Sequence, residues 1–292
     1  MPELPSSPVR RALASALRRR REHAGMSGDE VAAELGWSAS KVSRIETHRT
    51  GIKPRDLEAH LNLYGVDDAQ RHQLRALADE QNARGWWAAY AGTLDADYVS
   101  YMSLEDSAES FCTWSPEIIH GLLQTEDYAR AATTIAFGSP AAVPPGQIQR
   151  LIDSRLRRQQ MLSAPGSRHF TFILDEATLR HRFGEAKVMR DQLLRVEELS
   201  HLPQVSVRVL AFAGRYPISP GGFTLLEFSS VHGTSIGDIV YMEHLNGNFF
   251  VMEEENDTYR YRLAFDRLMD EALDDDASRE LIMQVGRDVW AG

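Results

Sequence analysis

Residues 27–46 read SGDEVAAELGWSASKVSRIE, and the spacing inside this stretch decides the N-terminal architecture. Ser27 followed by Glu30 is a capping box, in which each side chain serves the other residue's backbone amide. Val31 and Leu35 then share one face, Gly36 breaks the helix, and Ser38 starts a second helix whose inward residues are Val42 and Ile45. Two helices joined by so short a turn must cross steeply. That requires a small residue at the crossing, Ala32, and a glycine able to take positive φ in the turn, Gly36. Together with the two β-branched residues, this is the spacing of a DNA-binding helix-turn-helix, which puts its second helix into the major groove.

With Val42 and Ile45 turned inward, the outward face consists of Ala39, Ser40, Ser43, Arg44 and Thr47. Arg44 is the candidate base reader, because a guanidinium can bond guanine O6 and N7 together, a contact worth about 1–3 kcal/mol of discrimination. Ser40 and Ser43 can bond any base edge and carry little sequence preference. Phosphate contacts are expected from the Ser27 and Ser38 hydroxyls, the adjoining helix N-termini, Lys41, Arg49 and Lys53.

Moving outward, residues 9–82 read as five short helices. The first carries Leu13 and Leu17 on one face and stops at Gly25. Pro54 suits the first turn of the fourth, whose stripe is Leu57, Leu61 and Tyr64; Asp67 caps the fifth, with Leu74 and Leu77 inward. Of Arg18 to Arg21, two or three are expected on a solvated face. Asn82 to Gly85 forms a joint. From Trp86 the composition turns aromatic, through Tyr98, Tyr101, Phe111 and Trp114, which is expected to form core rather than to line a ligand pocket. Helices are expected over about 97–112, 125–136, 145–163, 185–201, 257–273 and 278–290. Strands are expected at 170–174, 205–210, 223–228, 239–243 and 249–252. The fold class is therefore mainly α: a five-helix bundle over 9–82, then an α+β domain over 86–292 with a small mixed or antiparallel sheet.

The chain has 292 residues, 43% hydrophobic and 25% charged, the composition of an ordinary globular protein of two folding units. No apolar run reaches the roughly 18–20 residues that cross a bilayer, and no apolar segment follows a basic start, so a cytoplasmic setting without membrane contact is expected. Cys112 is the sole cysteine, which leaves no internal disulfide or cysteine-based zinc site, and the ten histidines show no ligand spacing. Neither a metal nor a cofactor is expected. The net charge of −10 is unevenly spread: residues 1–60 hold 11 basic against 8 acidic side chains, the rest 21 against 34. An acidic body with a mildly basic end confines any nucleic-acid contact to that end. Asp175-Glu176 reads as a helix start, not as a catalytic pair. Glu253 to Glu255 and Asp274 to Asp276 read as solvated acids, with docking of a basic partner as the alternative.

The run R-E-H-A-G-M-S at 21–27, followed by E-V-A-A-E-L-G and S-x-S-K-V-S-R-I-E, resembles the lambda-repressor-like, or Xre-type, regulators. The resemblance implies an ion pair between Arg21 and Glu46 that clamps the first helix to the recognition helix. Trp37 departs from the family, where a smaller aliphatic residue is usual, and is expected to cap the small core. The remainder resembles the effector domain of a large group of actinobacterial Xre-type regulators of unknown function. The matching pieces are Gly121 to Arg130, Arg158-Gln159, Asp175 to Ala177 with Leu179, Gln192-Leu193 and Val240 to Glu243. His120 stands where a proline usually precedes this segment, so a different local turn is expected. Members are commonly encoded beside a very small protein and some are antitoxin-like, which implies a small protein partner.

These features point to a regulator that reads a double-stranded DNA operator. One helix-turn-helix spans few base pairs, so a homodimer on a pseudo-palindrome is expected, with the interface in the body and the 257–290 helices as candidates. No catalytic residues are assigned. Two other classes fit less well: an antitoxin-like protein that neutralises a nearby-encoded small protein and controls its own synthesis, and an enzyme carrying a DNA-targeting module.

Overall fold

A computed structural model describes residues 8–81, 85–136, 145–216, 221–230, 237–243, 249–252 and 255–291. The chain divides into two compact units, Met1–Ser107 with Phe228–Gly237, and Ala108–Glu227 with Asp238–Gly292. The aromatic segment from Trp86 to Ser107 thus groups with the N-terminal helices, and residues 82–84 of the expected joint lie outside the described residues.

The first unit holds α1 (Pro8–His23), α2 (Gly28–Leu35), α3 (Ala39–Glu46), α4 (Pro54–Leu63), α5 (Asp68–Glu80), a 3-10 turn at Trp86–Tyr90 and α6 (Ala96–Ser107). Local chemistry sets the ends. The Ser27 capping box is fully formed, the Ser38 hydroxyl accepts from the Lys41 amide at 3.2 Å, and Asp67 accepts from the Gln70 amide at 2.9 Å. Gly36 ends α2 at φ 66°, a left-handed conformation that a Cβ would strain, and lets the chain turn into α3. Leu13, Leu17, Ile45, Leu57, Leu61 and Leu77 form the core, and a second cluster of Val31, Ala32 and Val42 sits between α2 and α3. Each fully buried leucine contributes about 1.5–3 kcal/mol, so packing outweighs the propensity of helices as short as α2 and α3. Gln81, buried just past α5, ties this bundle to the loop after α3: it accepts from the Ile52 amide at 2.9 Å and donates to the Ile52 carbonyl at 2.7 Å.

The second unit is built on a mixed six-stranded sheet in the order β3-β2-β1-β4-β5-β6. Its strands are β1 (Ser110–Ser115), β2 (His169–Asp175), β3 (Val205–Leu210), β4 (Phe223–Glu227), β5 (Ile239–Glu243) and β6 (Phe249–Met252). β1 pairs parallel with β2 and β2 parallel with β3, while the β1–β4, β4–β5 and β5–β6 pairs are antiparallel. The parallel crossovers need helices, supplied by α7 (Glu126–Ala136) and α8 (Pro145–Gln159), then by α9 (Glu176–Arg180) and α10 (Ala186–Leu199). α11 (Glu255–Glu271) and α12 (Asp275–Asp288) end the chain.

One expectation fails. The helix expected to run to residue 112 stops at Ser107, and Ser110–Ser115 is a central strand. Phe111 and Trp114, three apart, mimic a helical stripe. Pairing with β2 on one side and β4 on the other overrides that pattern, and Phe111 stacks on Phe170 with ring centroids 4.5 Å apart. The aromatic residues are divided: Tyr98 and Tyr101 are buried in the first unit, Phe111 and Trp114 in the second. Asp274 caps α12 through the Ala277 amide, and the Asp275 carboxylate accepts from the Ser206 hydroxyl at 2.6 Å, so part of the acidic run 274–276 is structural. Glu253 and Glu254 lie outside the described residues.

Candidate nucleic-acid interface

α3 is positioned from behind and from one end. Val42 and Ile45 are buried against the bundle, and this leaves Ala39, Ser40, Ser43, Arg44 and Thr47 exposed on the opposite face. At the C-terminal end, Arg21 Nε donates to both Glu46 oxygens at 2.8 and 3.0 Å, and its Nη1 donates to the Met26 carbonyl at 2.8 Å. One guanidinium thereby ties α1, the α1–α2 turn and α3 together. The hydrogen bond to Glu46 raises the Arg21 pKa further above its ordinary value. Burial, and then the Glu46 charge, push the nearby Tyr64 phenol up, so it stays protonated.

The polar face of α3 is partly self-bonded. Arg44 Nη1 donates to Ser40 Oγ at 3.0 Å, and Thr47 Oγ1 donates to the Ser43 carbonyl at 2.7 Å. The Arg44–Ser40 bond lies on an exposed surface and orders the guanidinium along the helix. Among the described residues Arg44 forms no ion pair, so its charge is uncompensated.

The candidates flanking α3 differ from one another. Ser27 donates from its hydroxyl to Glu30 at 2.8 Å and from its amide at 2.7 Å, bonds that hold the exposed Glu30 carboxyl below the usual range. Both Ser27 donors are therefore spent within the capping box. Lys41 is half-buried and its charge is engaged within the bundle: its Nζ lies 2.9 Å from Asp56 and 3.5 Å above the Trp37 ring. The sequence pattern could not show this, because Asp56 comes from α4. Trp37 packs into both clusters of the bundle core and meets His60 edge-on at 4.9 Å. Arg49 and Lys53 are exposed on the α3–α4 loop. Within that loop His48 takes φ 50°, a left-handed conformation uncommon outside glycine. Burial, and then Arg11, Arg10 and Arg49, push its imidazole down to about 4, so it is neutral near pH 7.

In the second unit three of the segments that carry the family resemblance, at 121–130, 158–159 and 192–193, meet around one turn. The Gln192 carboxamide accepts from the Thr125 amide at 2.7 Å and donates to the Leu123 carbonyl at 2.8 Å. Gln159 donates to the Gly121 and Gln124 carbonyls, and Arg155 donates to the Gln124 side chain at 2.7 Å. The buried Gln192 and half-buried Gln159 amides satisfy a backbone that leaves regular structure between β1 and α7. His120 has a φ of −58°, a value that proline also takes, and its Nδ1 accepts from the Leu122 amide. Burial, then Arg158 and Arg155, push the His120 ring down to about 3.

The Asp175 and Glu176 carboxylates are engaged in structure. Asp175 caps α9 through the Ala177 amide, and Glu176 accepts from Arg180 and from the Phe212 amide. Burial raises the Cys112 thiol to about 11, which keeps it protonated. Among the described residues no group of three or more His, Cys, Asp or Glu side chains is placed to hold a metal, and no helix is long and apolar enough to cross a membrane.

A Helix-turn-helix domain model matches residues 12–74, which contain most of α1, all of α2 to α4 and the first half of α5. A second model, described as Domain of unknown function (DUF5753), matches residues 98–284. No curated protein and no solved structure matches the chain. With well over half of its length matched by the second model, behind an N-terminal helix-turn-helix domain, the chain belongs to the family described as Domain of unknown function (DUF5753).

Proposed function

We propose that this protein is a transcription regulator that binds a specific double-stranded operator as a homodimer, and that it acts by binding rather than by catalysis. The observation that carries this reading is the exposed face of α3, with Arg44 uncompensated, on a helix clamped from behind by Val42 and Ile45 and at its end by Arg21–Glu46. A rigid helix with a polar outer face is what direct readout in the major groove needs. In this reading Arg44 reads a base, with Ala39, Ser40, Ser43 and Thr47 against neighbouring base edges. Arg49, Lys53 and the first amides of α2 and α3 hold phosphates. Ser27 and Ser38 serve mainly as caps that aim those amides, and Lys41 contributes packing over Trp37 more than charge.

The second unit is assigned the sensing role, with a small protein or a ligand as its partner, in keeping with its negative charge balance. Any partner acts only by binding the DNA-competent and DNA-incompetent arrangements with different strength. Selection of duplexes from a random pool with the full-length protein tests the reading. The expected product is a motif of two inverted half-sites about 10–10.5 base pairs apart, or a multiple of that, bound by two chains. Recovery of no enriched sequence, or of one unpaired half-site bound by a single chain, would contradict it.

A further inference from the structure

The C-terminal half of α1 lies along the N-terminal half of α5, and between them is an open cleft of about 380 Å³. Arg19, Arg20 and His23 form one wall, Gln70 and Gln73 the other. Ala16 and Leu74, both largely buried, form an apolar floor. No carboxylate lines the cleft.

The hydrogen-bond inventory of these two helices singles the cleft out. Arg18 is paired with Glu22, Arg21 with Glu46, and Arg75 with Glu58, while Arg71 donates to the Leu61 and Val66 carbonyls. Arg19 spends one nitrogen on Ser15. Arg20 forms no ion pair or hydrogen bond among the described residues, and neither do the side chains of His23, Gln70 and Gln73. Four uncommitted polar side chains therefore line one concavity, with Arg19 and Arg20 both on its wall and no carboxylate among its lining residues. Such a cluster favours an oxyanion of high charge, and the planar arginine fork matches phosphate oxygens two at a time. The volume falls within the range of about 300–1,000 Å³ usual for small-molecule sites. The apolar floor fits an organic body better than a bare ion.

We propose that the α1–α5 cleft binds a small organic phosphate monoester, its phosphate on Arg19 and Arg20 and its apolar part over Ala16 and Leu74. This site is separate from the DNA reading and does not depend on it.

Titration calorimetry of the full-length chain, without DNA, tests it with phenyl phosphate and inorganic phosphate as probes. Arg20→Gln removes the uncommitted guanidinium. Arg18→Gln, whose side chain is outside the cleft and already paired on the surface, is the control. The expected result is saturable one-to-one binding of phenyl phosphate, tighter than inorganic phosphate, that is unchanged in Arg18→Gln and weaker by about tenfold or more in Arg20→Gln. Melting curves should show both variants folded, since neither change breaks a buried bond. Absence of saturable phenyl phosphate binding, or equal loss in the two variants, would overturn the proposal. So would an Arg20→Gln protein that binds phenyl phosphate normally but every duplex more weakly, which would make the cleft a seat for the DNA backbone.

Discussion

Arg21 shows how much one side chain can hold. Its side chain is 15% exposed and that of Glu46 8%, so the pair is desolvated on both sides and neither partner can return to water cheaply. Arg21→Ala should destabilise the N-terminal unit by about 3 kcal/mol, because it leaves a buried carboxylate and the Met26 carbonyl without their donor. Chemical denaturation measures this, and duplex selection should return the same preferred sequence. A changed preference with unchanged stability would mean that Arg21 faces the DNA. Two histidines of the first unit, the half-buried His48 and the buried His60, make a second residue-level prediction. His48 sits at about 4 in the fold, and burial also lowers His60, against about 6.5 for an unfolded imidazole. Above that unfolded value both states are neutral and stability is full. As pH falls below it, the unfolded chain takes up protons that the native imidazoles refuse, so stability is lost progressively towards the folded pKa values. The melting temperature should drop between about pH 7.5 and about 5.5, and drop less in His48→Asn, since Asn tolerates the left-handed backbone. A melting temperature constant over that interval would contradict the assignment. At this scale the sequence showed the roles of Val42, Ile45 and Ala32, because they follow from helical spacing alone. It could not show Lys41 bound to Asp56 or Gln81 bonding Ile52, which depend on how distant helices come together.

Among the elements, the turn between α2 and α3 fixes the angle at which the candidate recognition helix leaves the bundle. Gly36 has no neighbour within 4 Å of where a Cβ would stand, so space is not the constraint; its φ of 66° is. Gly36→Ala should therefore cost about 1–2 kcal/mol of stability through backbone strain alone. Equilibrium unfolding checks the size, and no loss would mean that the turn relaxes to another conformation. Caps were the most legible elements: Ser27, Ser38, Asp67 and Asp175 each begin a helix by a short-range hydrogen bond that sequence spacing specifies, whereas Asp274, expected to be a solvated acid, proved to be a fifth. The central strand β1 was not legible. Its partners β2 and β4 are more than fifty residues away in sequence, and only their pairing separates Phe111–Trp114 from a helical stripe. The role of Gln192 was hidden for the same reason: its two bonds reach back almost seventy residues to Leu123 and Thr125.

For the whole molecule, the division of labour follows from charge. A mildly basic segment over residues 1–60, against 34 acidic and 21 basic side chains in the rest of the chain, should restrict duplex contact to that N-terminal segment. Fold class was legible at this scale, as helical spacing up to Glu80 gives way to short apolar runs that pair as a mixed sheet. The most direct test of the central claim is a footprinting titration on the selected operator, run over a salt series, with wild type, Arg44→Ala and Lys53→Ala. Arg44→Ala should lose about 1–3 kcal/mol of specific binding and relax preference at one position per half-site. Lys53→Ala should weaken all sequences alike and reduce the salt slope by about one unit. Unchanged affinity and unchanged preference in Arg44→Ala would contradict the assignment of α3 as the reading helix.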